Sequence, residues 1–292
     1  MTDMAYAIEA GEALPDALRR IVAEQVQHVL ALRGDGEVEM RVHELRKRIK
    51  QLRALLRLVR PEIGDAFGAF NARLRDIAQR LSGIRDAHVL VAVVDKLSQG
   101  AHDADRDALL IVRRSLSASE PGDIEASMTR AIEDIRGLQP VLASAVWPLE
   151  DRFRVIGRGF QRTYRDGRRS MHNAIESPRP VNMHQWRKRA KDHWHQLQLL
   201  RDVAPDEFHE RAAHAKELSD VLGDDHDLAL LYERVAADAS LTDETRDAVL
   251  RLTIAAQQRL QQRARELGEA LYDHSPRAFR KHARNRWRAW RS

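Results

Sequence analysis

VHELRKRIKQLRALLRLVR, residues Val42 to Arg60, carries two stripes at helical spacing. Val42, Leu45, Ile49, Leu52, Leu56 and Val59 alternate in steps of three and four, as a helix buried along one seam requires. His43, Arg46, Lys47, Lys50, Arg53, Arg57 and Arg60 fall in one arc away from that seam, interrupted only by Glu44. Surface helices usually mix signs, because acid–base pairs at i,i+4 stabilise them and like charges repel by a few tenths of a kcal/mol. A ladder of almost pure positive charge therefore calls for an anion along it.

The same stretch returns at an offset of 141 residues as MHQWRKRAKDHWHQLQLLR, Met183 to Arg201. His184 falls on His43, Arg187 on Arg46, Lys188 on Lys47 and Lys191 on Lys50. A second landmark, LSGIRDAHVL from Leu81, meets LGDDHDLALL from Leu222 in the same register, with His226 on Arg85 and Asp227 on Asp86. Two motifs sharing one offset mark a tandem duplication, read here as units 1–146 and 147–292.

Composition points to an all-α chain. It is rich in Ala, Leu, Arg, Glu and Asp, poor in aromatics and Gly, and lacks the alternation that strands need. Net charge is +5, with a sequence pI near 9.7. Basic residues collect in 41–60, 152–169 and 277–291, while 202–227 is acidic. Such segregation suits an anionic partner held at particular places. The absence of cysteine excludes disulfides and thiolate metal sites. No leader-like start and no spanning apolar window appear, so a soluble, cytoplasmic protein without membrane contact is expected.

The pairing of H-x-x-R-(K/R)-x-x-K with L-(G/S)-x-x-(R/H)-D, present twice, resembles the CHAD proteins, the conserved histidine α-helical domain family. That resemblance implies two homologous antiparallel helical bundles related by a pseudo-twofold, with a basic central groove or pore that binds inorganic polyphosphate and targets the protein to polyphosphate granules. Carried onto this chain, the binding set is His43, Arg46, Lys47, Lys50, Arg53, Arg57, Arg85, Arg158, Arg162, Arg165, Arg168, His184, Arg187, Lys188, Lys191 and His226. Asp86 and Asp227 are expected to orient Arg or His side chains. The chain departs from the pattern at His226, where the family has Arg. It departs again in the second basic helix, whose later turns hold Trp194, Gln198 and Leu199.

On the residues alone, His43 and His184 admit phosphate contact, a structural hydrogen bond or metal ligation. The last lacks support, since no carboxylate or second His stands at i+3 or i+4. No Gly-rich phosphate loop, cysteine nucleophile or metal set appears, so neither catalysis nor a cofactor is expected. A histidine phosphotransfer module and a general nucleic-acid binder are the alternatives, the latter short of stacking aromatics outside the tail.

Along the chain, helices are expected over 15–33, 42–60 (closed by Pro61), 66–84, 102–119, 123–146 with a kink at Pro140, 205–221, 224–238 and 243–273. LVAVVDKL after Arg85-Asp86 reads as a buried helix end despite its β-branched residues. Glu37-Val-Glu39 faintly resembles half of the signature of triphosphate tunnel enzymes, but reads better as an acidic helix start. Glycines 157, 159 and 167 interrupt a basic helix at a cost of up to about 1 kcal/mol each, which suggests close approach of a phosphate or a neighbouring helix. The tail 277–291 could form a short amphipathic helix through Phe279, Ala283, Trp287 and Trp290, docking on its own bundle or meeting an anion, nucleic acid or membrane.

Overall fold

The computed structural model describes residues 6–34, 37–81, 86–116, 124–144 and 149–292, with the side chains of 86–88, 104, 141, 143 and 144 left aside. Eleven α-helices make up the described chain: α1 (Leu14–Leu30), α2 (Val38–Ile63), α3 (Ala66–Arg80), α4 (Asp86–Gln99), α5 (Asp103–Leu116), α6 (Ile124–Ser144), α7 (Phe153–Glu176), α8 (Pro180–Leu199), α9 (Pro205–Ala236), α10 (Asp243–Leu271) and α11 (Pro276–Arg291). A single 3-10 turn, Arg201–Val203, links α8 to α9, and no strand occurs among the described residues.

All six residues of the apolar seam in α2 are buried, so the helix is fixed along that stripe and its cationic face turns elsewhere. The helix packs on α1, α3, α7 and α8. One hydrophobic core joins α1, α2, α3 and α6 to α7, α8, the first half of α9, the end of α10 and α11. A second, smaller core is built from Leu90 and Val94 of α4, Leu109 and Val112 of α5, Leu231 and Val235 of α9, and Val249 of α10. Both cores therefore draw on both halves of the chain.

Four sequence expectations change. Helix α2 runs through Pro61 to Ile63 and is closed by Gly64 at φ +54°. Pro61 has no amide to return to the Arg57 carbonyl. That carbonyl faces Gly159 of α7, where an added Cβ would stand 2.7 Å from it and 1.8 Å from the Leu58 carbonyl oxygen. The second change is α3, which ends at Arg80 rather than running on to 84; residues 82–85 lie outside the described chain. LVAVVDKL belongs to a helix of its own, α4, instead of ending a longer one. Finally, 205–221 and 224–238 are one continuous helix, α9, because Gly223 is helical rather than a break.

The other glycines of α7 also answer to protein neighbours. A Cβ at Gly157 would meet the Phe153 ring at 2.5 Å, and one at Gly167 the Tyr272 hydroxyl at 2.3 Å. The tail is helical and docked. Ser275 caps α11 by accepting the Ala278 amide at 3.2 Å, and Pro276 opens its first turn. Phe279, Ala283 and Trp287 are buried, with Phe279 stacked on Tyr164 at 4.1 Å between ring centroids. Burying the two aromatic side chains contributes about 1.5 to 3 kcal/mol each. Glu37 precedes the first residue of α2 and Glu39 sits in its first turn, an acidic helix start.

The contact between Gly159 and α2 yields a paired prediction. Gly159→Ala places a methyl group inside backbone atoms that no rotamer change can move, so it should cost about 3 kcal/mol in urea unfolding. Gly68→Ala, on the exposed face of α3 with nothing within 4 Å, should instead add roughly 0.5 to 1 kcal/mol. Equal effects at the two positions would refute the close packing of α2 on α7.

Candidate anion-binding cavity

Helices α2 and α8, the two copies of the basic stretch, pack on one another. The Gln196 amide donates to the Ala54 carbonyl at 3.1 Å, and Tyr6 donates to the Gln51 carbonyl at 2.9 Å. The Ile8 amide reaches the Leu199 carbonyl at 3.0 Å, so the segment before α1 braces both helices. Beside this junction lies a cavity of about 520 Å³. Its described lining gathers nine cationic side chains, Arg46, Lys50, Arg53, Arg57, Arg75, Arg187, Lys188, Arg189 and Lys191, against two carboxylates, Asp192 and Asp227. His184, His195 and His226 complete its titratable wall.

Individual side chains are held from behind. Asn71 of α3 accepts from Arg53 Nε at 3.1 Å and from an Arg57 terminal nitrogen at 3.0 Å. Asp192 of α8 accepts from Arg57 Nε at 2.7 Å and lies 3.2 Å from Arg189. These bonds leave each guanidinium with further donors for an incoming anion. Arg46 donates to the Leu81 carbonyl at 3.0 Å, at the end of α3. Its counterpart Arg187 lies against Gly223, where a Cβ would come within 3.1 Å of its guanidinium. In both halves, then, the second motif receives the arginine of the first, and the small residue of that motif makes room for it in α9.

Gathering the charges perturbs them. Burial, and then Arg57, lower the Arg53 pKa to about 10, which still leaves it cationic at neutral pH. Lys188 is lowered by burial and then by Arg189 and Arg53. Burial, followed by Lys188, His226 and Arg187, holds His184 down at about 4, so its ring is neutral at pH 7. That ring lies 4.5 Å from the His226 ring, centroid to centroid. His195 is pushed down to about 3 by burial and then by Lys191. His193, one turn from Arg189, lies outside the cavity lining, against the rings of Phe160, Tyr164, Tyr272 and Phe279.

Of the binding set read from the sequence, Arg46, Lys50, Arg53, Arg57, His184, Arg187, Lys188, Lys191 and His226 meet in this cavity, as does Asp227. Arg162 lines a smaller cavity of about 190 Å³ next to it. His43 is exposed at the start of α2, and Lys47 lies 4.0 Å from Glu44; neither lines the cavity. Arg158, Arg165 and Arg168 lie on α7 away from it, with Arg165 paired to Asp166 at 3.0 Å. Arg85 and the Asp86 side chain lie outside the described residues.

The sequence reading missed Asn71, Arg75, Arg189 and Asp192. Asn71 and Arg75 form, with Ala78, a stripe at i, i+4 and i+7 along one edge of the face of α3 that buries Phe67, Phe70, Leu74 and Ile77, and Ala78 packs partly against the core. That stripe was available in the sequence. Arg189 was not, because its counterpart in the repeat, Arg48, is buried among Gln25, Gln51 and Glu44. Among the described residues, no group of three or more His, Asp or Glu side chains is placed to hold a metal ion. No described helix is long and apolar enough to cross a membrane.

No curated protein matches the chain at a significant level. A family model for the CHAD domain matches residues 12–236, spanning α1 to α9 and thus every residue that lines the cavity. The match covers more than half of the sequence, and the chain belongs to the CHAD-domain family.

Proposed function

We propose that the protein binds inorganic polyphosphate in the cavity between α2 and α8, without catalysing a reaction on it, and that this binding carries it to polyphosphate granules. The observation that carries the reading is the excess of nine cations over two carboxylates in the described lining of one 520 Å³ cavity, eight of the nine supplied by the two basic helices α2 and α8. The family association of the CHAD domain with polyphosphate supports it. So does the absence from the described lining of Phe, Tyr and Trp, the large rings on which bases of single strands commonly stack. The phosphates of a linear polymer require charge and forked donors, which arginine and lysine supply.

In this reading, units 1–146 and 147–292 are related by a pseudo-twofold. Three pairs of repeat counterparts pack against each other, α2 on α8, α4 on α9 and α5 on α10, as elements near such an axis would. Both halves then serve one groove. Arg46→Glu with Lys50→Glu, or Arg187→Glu with Lys191→Glu, should each abolish most polyphosphate binding while circular dichroism stays unchanged, since all four residues lie off the buried seams. Half the sites at undiminished affinity in either variant would mean two independent sites.

Protonation provides a second test. A bound polyanion offsets the burial and positive neighbours that hold His184 at about 4, so its pKa rises toward or beyond the ordinary 6.5. Binding must then take up a proton in the window from about 4 to the bound value, and affinity should rise as pH falls into it. Calorimetry at about pH 6 in buffers of different ionisation enthalpy should show this uptake, reduced in His184→Gln. Zero uptake in the wild type would remove His184 from the site.

A further inference from the structure

The described lining of the smaller cavity, about 190 Å³, includes Arg57, Arg60, Arg162 and Arg189, with Asp166 as its one carboxylate. Arg57, Asn71 and Arg189 line it and the main cavity alike, so one set of side chains faces both. Arg60 forms no ion pair among the described residues; its guanidinium rests on the Phe67 ring, 4.6 Å from the centroid, with Arg57 at 5.8 Å. Burial, then Arg162 and Arg57, lower the Arg60 pKa, as expected of a cation facing other cations. Asp166 offsets little of this charge, lying 3.9 Å from Arg162 but 3.0 Å from the exposed Arg165.

Arg60 and Phe67 keep their residue types at the repeat-related positions, Arg201 and Phe208, but the other charged and polar residues that argue for the subsite do not. At the 141-residue offset, Arg162 corresponds to Ile21, Asp166 to Gln25, Arg57 to Gln198 and Asn71 to Ala212. Ile21 and Gln25 are both fully buried in the core face of α1. Arg189 corresponds to Arg48, which is turned inward onto Gln25 and Gln51. Among the described residues, the cluster of Arg57, Arg60, Arg162 and Arg189 thus extends the cationic surface on the α2–α7 side, without a matching cluster at the related positions.

We infer that the smaller cavity is a second anion subsite that receives phosphate units leaving the main cavity past Arg57, making the polyphosphate site one-sided and selective for longer chains. The inference rests on the proposed function of the main cavity. A short oligophosphate occupies the main cavity alone, whereas a long chain reaches Arg60 and Arg162 as well. Exposed and half-buried cations contribute through charge-assisted contacts, so loss of both should be read in affinity for the long chain.

The test compares tripolyphosphate with long-chain polyphosphate on the whole protein, using wild type, Arg60→Gln/Arg162→Gln and Arg60→Lys/Arg162→Lys. The Gln pair should lose roughly tenfold in affinity for the long chain and show a weaker salt dependence, while tripolyphosphate binding stays at the wild-type level. The Lys pair, which keeps the charge, should recover most of the loss and guards against a folding defect in the Gln pair. Equal losses for both ligands, or none for the long chain, would overturn the subsite while leaving the main cavity's function intact. Failure of the wild type to bind either ligand would overturn both readings together.

Discussion

Nine cations held around one cavity repel one another, and most of the architecture serves to keep them there. Burial first, and this repulsion second, make Arg53, Lys188 and His184 hold their protons less tightly than in water. Opposing it are the buried seams behind the charged faces. Helix α2 is anchored by six residues from Val42 to Val59, and α8 by Met183, Trp186, Ala190 and Leu197, all at most 5 % exposed. Fully burying such apolar side chains contributes about 1.5 to 3 kcal/mol each, more than enough to offset partly solvated like-charge contacts of a few tenths each. Close packing completes the frame, with Gly159 bringing α7 onto α2 and Gly268 admitting the Trp186 ring.

Asn71 and Asp192 give this frame its specificity of orientation. A carboxylate shared by Arg57 and Arg189 fixes both guanidinium planes yet neutralises only one charge. Asn71 fixes Arg53 and Arg57 and neutralises none. A site built to hold a polyanion gains from neutral orienters, because each further carboxylate would repel the ligand. The docked tail α11 stands apart from this arrangement. Its apolar residues are used in packing on α7, and its outward face carries Arg277, Arg280, Lys281, Arg284 and Arg288.

Much of this was legible in the sequence because two signals agreed. The three-four seam of α2 placed its buried face, and the 141-residue repeat indicated that its cationic face had a partner. Arg46, Lys50, Arg53 and Arg57, at i, i+4, i+7 and i+11, are the members of the ladder that meet the cavity. Lys47 lies on the flank beside Glu44, and His43 precedes the first cavity residue by a turn. Repeat matching could not find residues that only one half uses. Arg189 faces the cavity while Arg48 turns into the core, and Arg162 has an apolar counterpart in Ile21. Helix ends were also less legible than helix faces: Gly223 and Pro61 look like breaks in a list of residues, but α9 and α2 continue through them, with Arg187 packed beside Gly223 and Gly159 beside the Arg57 carbonyl that Pro61 cannot pair.

Under the proposed function, this cavity is fitted to phosphate polymer rather than to phosphodiester chains bearing bases. Competition titration of long-chain polyphosphate against single-stranded RNA, at matched phosphate concentration and across a range of salt, tests it most directly. Polyphosphate should bind much more tightly, with an affinity that weakens steeply with salt because binding releases counterions. Equal affinity for RNA throughout the salt series would contradict it.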